Sequence, residues 1–183
     1  MATATKSKSL KKTTAPNKTE KENLNTTGPL MDLFINNLRS MYWAENHLVK
    51  ALPRMKSESS SKELQKVISD HLKVTKGHVS RIEQAFNIIQ QKPQATKCDA
   101  MEGLTLEGEG VIEDTIPGTT VRDLGINLSS QKVESYEITA YQGLISLATS
   151  LGLTEVADLL TETLKEEQDS LMLLSEMSQS FTA

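Results

Sequence analysis

Four long segments of this chain repeat apolar residues at the spacing of one helix face, and that periodicity most restricts what it can become. Helical positions i, i+3, i+4 and i+7 share a face because each residue advances the chain by 100°. The first stripe runs Met31, Phe34, Leu38, Met41, Leu48, Leu52 and Met55. A second holds Leu64, Ile68, Ile82, Phe86 and Ile89, and a third Ile138, Tyr141, Leu144, Ile145, Ala148 and Leu151. The last holds Val156, Leu160, Leu164, Leu171 and Leu174. Five prolines and nine glycines cluster at a few places and leave the stretches between them to helix. Aromatic residues at 4% are too few for a β-sandwich or barrel.

The breaks set the order of elements. Thr27-Gly28-Pro29 offers a start with proline near the first helical position, so the spacing predicts a helix over 30–55. Pro53 is expected to kink or end it. Ser59-Ser60-Ser61 supplies a capping hydroxyl, with Glu63 in the following turn, and a second helix is expected over 62–90, ended by Lys92-Pro93. A shorter helix over 99–114 is weakened by Gly103, Gly108 and Gly110. Ile116-Pro117-Gly118 is a turn, and a fourth helix covers 121–150. Leu151-Gly152-Leu153-Thr154 reads as a glycine stop followed by a threonine start, and a fifth helix covers 155–178. The expected fold is all-α: a four-helix bundle of two hairpins, with an additional short helix between them.

Residues 1–28 stand apart. Residues 1–24 hold Lys6, Lys8, Lys11, Lys12, Lys18 and Lys21 against Glu20 and Glu22, a local charge of +4 within a chain of −4. This serine-, threonine- and lysine-rich stretch buries too little apolar surface to fold alone. It is expected to be a solvated, disordered tail ahead of a domain over 29–183. The sharper reading, an arm that binds nucleic acid, is weakened by the absence of arginine and aromatics. No apolar run reaches the roughly 18 residues of a membrane span, and residues 1–23 lack the apolar middle of a secretory signal. Cys98 is the only cysteine, which excludes an intrachain disulfide and a cysteine-based metal site. The chain reads as cytoplasmic.

Ionisable residues interrupt the apolar stripes. Glu45 falls in the centre of the first and Glu167 in the centre of the last. Glu134 and Glu137 lie together on the fourth helix, three residues apart. His71, Thr75 and His78 lie on the face of the second, the two histidines roughly 10 Å apart along the axis and so unable to share one ion. A buried carboxylate must be protonated, paired or bound to a cation. Each position has a plainer reading. Glu45 or Glu167 can be satisfied by a tyrosine or lysine, Glu134 can reach water at the stripe edge, and His71 and His78 can be hydrogen-bonded core residues. Tyr136 and Tyr141 can donate to the acids or simply pack. Taken together, acids or an imidazole on four buried faces point to two divalent cations, and oxygen ligands with imidazole suit iron, manganese or zinc.

The segments LFINNLRSMYWAENHLVKALPRM, HLKVTKGHVSRIEQAF, KCDAMEGL, QKVESYEITAY and LGLTEVADLLTETLKEEQ resemble, in this order, the YciE/YciF family of ferritin-like stress proteins. The resemblance covers about residues 30–178. It implies a ferritin-like bundle, a dimer, and a di-iron-type site of ferroxidase-like character linked to stress. Carried over by position, the metal ligands are Glu45, His71, Glu134, Glu137 and Glu167. The chain departs from the family where Val74 replaces a usual glutamate, Ser135 a usual histidine and Leu171 a common aspartate. The two Glu-x-x-His pairs usual in such sites are absent. The rival expectation is a structural, stress-associated dimer whose metal site has decayed.

Overall fold

A computed structural model describes the backbone of residues 18–182 and the side chains of 28–181. All regular structure among the described residues is helical: α1 Lys18–Glu58, α2 Lys62–Ile88, α3 Asp99–Asp114, α4 Thr120–Ser150 and α5 Thr154–Thr182. None of these helices is long and apolar enough to cross a membrane. Helices α1, α2, α5 and α4 pack in a closed ring, and α3 lies against α4 and α1. Neighbours in the ring run antiparallel: His71 meets Ser170 while Arg81 meets Glu162, and Glu58 meets Arg122 while Glu45 meets Tyr141. The long crossover between the hairpins consists of the extended stretch 89–98, tied to α1 by Thr96 N–H donating to Arg39 O, and then α3.

The expected helix boundaries hold except at α1. The helix was expected to start near Leu30, yet it begins at Lys18 and runs through Pro29. A proline removes one backbone donor, and the lysine, glutamate and leucine residues before it are good helix formers. The tail expected over 1–28 otherwise lies outside the described residues. Pro53, expected to kink or end the helix, leaves it running to Glu58; its ring is exposed, while Leu52 and Met55 on either side are buried in the core. The other boundaries follow their caps. Ser61 accepts from Leu64 N–H and Thr119 from Arg122 N–H, and Gly152 adopts φ +71° after α4.

The glycines expected to weaken α3 do not interrupt it, and Gly125 of α4 is the one whose missing side chain lets α3 pack closely. A Cβ on Gly125 would lie 2.4 Å from Val111 Cγ1, and one on Gly108 would lie 3.4 Å from Met55 Cε. The core comprises the predicted stripes, including Phe34, Leu38, Leu64, Ile82, Phe86, Tyr141, Leu144 and Leu160, all at most 1% exposed.

One end of the bundle is locked by two buried charges in the first turn of α4. Asp123 accepts from Ser60 N–H at 2.7 Å, Ser60 Oγ at 2.5 Å and Ser61 N–H at 2.9 Å, clasping the α1–α2 turn. Arg122 donates to Glu58, to the Ile112 carbonyl at the end of α3 and to Thr115. Removing a buried acceptor strands donors that water cannot reach. Asp123→Ala is therefore expected to cost about 3 kcal/mol in urea unfolding. Metal content should be unaffected, because Asp123 lies about 16 Å along α4 from Glu134.

Candidate metal centre

The middle of the ring is acidic. Glu45 from α1, Glu134 and Glu137 from α4, and Glu167 from α5 are all at most 2% exposed, and His71 and His78 from α2 are 8% and 0% exposed. Their donor atoms form two groups, each with all its atoms within 4.8 Å of one another. One group is His71, Glu134, Glu137 and Glu167; the other is Glu45, His78 and Glu167. Glu167 belongs to both.

All five residues predicted from sequence converge here. His78 stands outside the five, read from sequence as a core or edge residue, yet it completes the second group. His71 Nε2 lies 3.5 Å from Glu134 Oε1, and His71 Nδ1 lies 3.4 Å from Ser170 Oγ. His78 Nδ1 lies 3.0 Å from Glu167 Oε1 and 3.5 Å from Glu45 Oε1, without the alignment of a hydrogen bond. Its other nitrogen, Nε2, is 3.0 Å from Glu166 Oε2. Glu166 is held in turn by Arg81, which donates to both of its oxygens. An ionised carboxylate only accepts, so Nε2 must carry the proton and Nδ1 is left to face the two acids. Tyr141 donates to Glu45 Oε1, whereas Tyr136 pairs with Cys98 Sγ at 2.9 Å, outside the cluster.

These contacts leave most of the donor atoms without partners. Among the described residues, eight buried side-chain atoms lack a hydrogen-bond partner, and seven belong to this cluster. They are Glu45 Oε2, His78 Nδ1, Glu134 Oε2, and both oxygens of Glu137 and Glu167. Tyr141 satisfies one oxygen of Glu45, and Glu134 is buried rather than at the stripe edge. A buried polar group without a partner is costly, and seven in one place must be met by protons or by cations.

The protein without cations answers by holding protons. Burial pushes the Glu137 and Glu134 carboxyls well above the ordinary carboxylate range, and Glu167 pushes both further. Burial also raises Glu45. Burial lowers His78, but Glu167 and Glu45 outweigh it and lift the ring to about 10. Burial likewise opposes ionisation of Glu167, and His78 overcomes it, holding that carboxyl below its usual value. His71 is pushed down by burial and stays neutral. A cation entering this site must displace protons from His78 and from the raised acids.

The positions where the chain departs from the resembled family supply no donor atom to either group. Ser135 is exposed and donates to the Gln131 carbonyl. Val74 and Leu171 are half-buried and belong to neither donor group. The buried group of four carboxylates and two imidazoles is complete without them.

Four antiparallel helices that each aim carboxylate or imidazole donors into a shared interior define a ferritin-like bundle with a buried group able to hold metal ions. Residues 29–183 match the family described as domain of unknown function (DUF892). The chain belongs to this family, that of YciE and YciF. It is 38% identical to Protein YciF of Escherichia coli (strain K12) over 148 residues, 80% of this chain and 89% of that one. The crystal structure of the E. coli stress protein YciF superposes with a TM-score of 0.80 at 37% identity, covering 84% of this chain and 96% of that one. YcfI of Rhodopseudomonas palustris, described as a structural protein, gives 0.78 at 34% identity over 80% and 92%. A protein of Xanthomonas campestris at 20% identity and a TM-score of 0.66 shares the fold.

The Glu166–His78 contact carries its own expectation. A carboxylate behind a ligating imidazole fixes the ring and its tautomer, and losing it costs about 10–100-fold in metal affinity. Glu166→Ala is expected to weaken binding at the Glu45–His78–Glu167 group by that factor in a metal titration. Glu166→Gln, which still offers an acceptor, should lose less. Equal affinities in all three proteins would show that Glu166 does not orient the His78 ring for metal.

Proposed function

We propose that this protein binds two divalent metal ions, iron in the first instance, and acts as a ferroxidase-like stress protein. The observation behind this reading is the set of seven unpartnered donor atoms on four helices. Charge supports the number two. Four ionised carboxylates and two neutral imidazoles carry −4, which two divalent cations cancel and one does not. Oxygen-rich donors with imidazole and no thiolate favour iron or manganese over a structural zinc.

In this reading, Glu45 and His78 hold one ion, His71, Glu134 and Glu137 hold the other, and Glu167 serves both. A bound iron pair supplies electrons to oxygen or peroxide. The chain itself excludes water through the apolar layers above and below, fixes His78 through Glu166 and Arg81, and keeps Tyr141 donating to Glu45. The link to stress comes from the E. coli relative, itself a stress protein. Cytoplasmic location and assembly as a homodimer belong to the same proposal, and sedimentation equilibrium tests the latter. A nucleic-acid arm in residues 1–24 is tested by a gel shift with and without them, at low and moderate salt.

The test is metal analysis of aerobically purified protein together with Fe(II) oxidation. The expected content is two ions per chain, with oxidation faster than in Glu45→Ala. The rival reading, a structural dimer with a decayed site, draws on Val74 and Leu171 and on the relative described as structural. It expects less than one ion per chain and a melting temperature that chelator does not change.

A further inference from the structure

The space above the donor cluster, toward the α1–α2 turn, is not filled. A cavity there has about 20 Å³ open to the centre of a water-sized sphere. Leu52 of α1, Met55 of α1, Val133 of α4 and Leu174 of α5 form its walls, and His71 and Glu134 lie at its inner end. That volume holds one small molecule, since a single water needs about 10–15 Å³ on this measure. The walls offer a water almost nothing. Ser130 Oγ is already donated to the Ile126 carbonyl, and Ser170 Oγ faces His71 Nδ1. A cavity lined by carbon stays dry and takes apolar guests instead.

The cavity also has an outside. A surface groove between α2 and α5, with about 230 Å³ open on the same measure, is lined by Val67, His71 and Ser170, which line the cavity as well. Val74 and Leu173 make its rim apolar, while Asp70, Asp169 and Glu166 on the same rim are paired with Lys66, Lys73, Lys165 and Arg81. The rim therefore shows no free acidic cluster to draw a cation. Val67 and Val74 on α2 and Ser170 on α5 leave a gap beside the imidazole.

We infer that this gap and cavity form the entry and seat of dioxygen, placed against the His71–Glu134 side of the centre. The proposal rests on the metal-binding reading above and names the oxidant that the site admits. Dioxygen is apolar, fits the volume and needs no hydrogen bond. Hydrogen peroxide would bring two donors and two acceptors into walls that are almost all carbon and leave most of them unpaired.

Xenon has similar preferences and can be located without any metal. Crystals of the full metal-free chain under xenon pressure are expected to show one xenon site in contact with Leu52, Met55 and Val133. Leu52→Phe should abolish it. Because overpacking this position can unfold the protein, Val67→Trp at the half-buried mouth is the second variant. In iron-loaded protein, Val67→Trp is expected to raise the KM for dioxygen at least tenfold, leaving iron content and peroxide-driven oxidation within twofold of wild type. An ordered water in place of xenon, or an unchanged KM for dioxygen, would overturn the proposal. So would an equal slowing of the peroxide reaction. A xenon site in a protein that takes up no iron would overturn the metal-binding reading instead, so the two failures can be told apart.

Discussion

Glu167→Ala is expected to empty both metal positions at once, dropping the bound iron from two ions per chain to well below one. No other residue of the site belongs to both donor groups. Removing Glu134 or Glu137 leaves the Glu45–His78–Glu167 group complete, and removing Glu45 leaves the other complete. Loss of a supporting group behind a ligand costs about 10–100-fold. Loss of the shared ligand itself should exceed about a hundredfold at each position and suppress Fe(II) oxidation correspondingly. Isothermal titration with Fe(II) under anaerobic conditions, followed by stopped-flow oxidation, measures both effects. If Glu167→Ala bound iron as tightly as Glu45→Ala and oxidised it as fast, the two groups would not share a bridge.

The second large effect runs opposite to the usual direction of core mutations. Glu137 is fully buried and neither of its oxygens has a partner. Without metal, replacing it with an apolar residue of similar shape removes that penalty, so Glu137→Met is expected to stabilise the metal-free protein by about 1–3 kcal/mol. In a domain of this size, that raises Tm by about 2–4 °C for each kcal/mol. With metal the order reverses. Wild type gains about 4 kcal/mol from each ion held at a thousandfold excess over its Kd, and the variant loses the ion its carboxylate held. The acids also fix the pH dependence. Folding raises the Glu134 and Glu137 carboxyls above their unfolded values, so metal-free stability is greatest below the unfolded pKa, where both stay protonated. It is lost as pH rises through the folded one. Metal affinity moves the other way, because ligands must shed protons to bind. The gap in Tm between metal-loaded and metal-free protein should therefore widen from about pH 5 to about pH 8 in differential scanning calorimetry. A gap that stays constant would mean that these acids do not face the ions.

Much of this architecture is written in the spacing of residues. A carboxylate at the centre of an apolar helix face has one place to go, and Glu45, Glu137 and Glu167 are each buried to 0% exposure where that logic puts them. Glu134 follows because its i, i+3 relation to Glu137 keeps it on the same face. His78 escaped the same logic through a geometric assumption. Its distance from His71 was weighed against one ion, but the site has two donor groups stacked along the bundle, and a separation of two turns suits one imidazole for each. The signal was present in the seven-residue spacing. Its partner Glu166 was not legible, because an edge glutamate beside a central one reads as solvated until α2 is laid against α5. Arg122 and Asp123 were hidden for a similar reason. Charged residues in the first turn of a helix ordinarily serve its dipole, and only the tertiary fold brings the α1–α2 turn and the end of α3 onto them.

A structure determined at the iron absorption edge, from crystals loaded with Fe(II) without oxygen, tests the central claim most directly. Two anomalous peaks are expected inside the ring. One should be bounded by His71, Glu134, Glu137 and Glu167, the other by Glu45, His78 and Glu167. Iron confined to the surface, or an interior where the same carboxylates pair only with one another and with Tyr141, would contradict it.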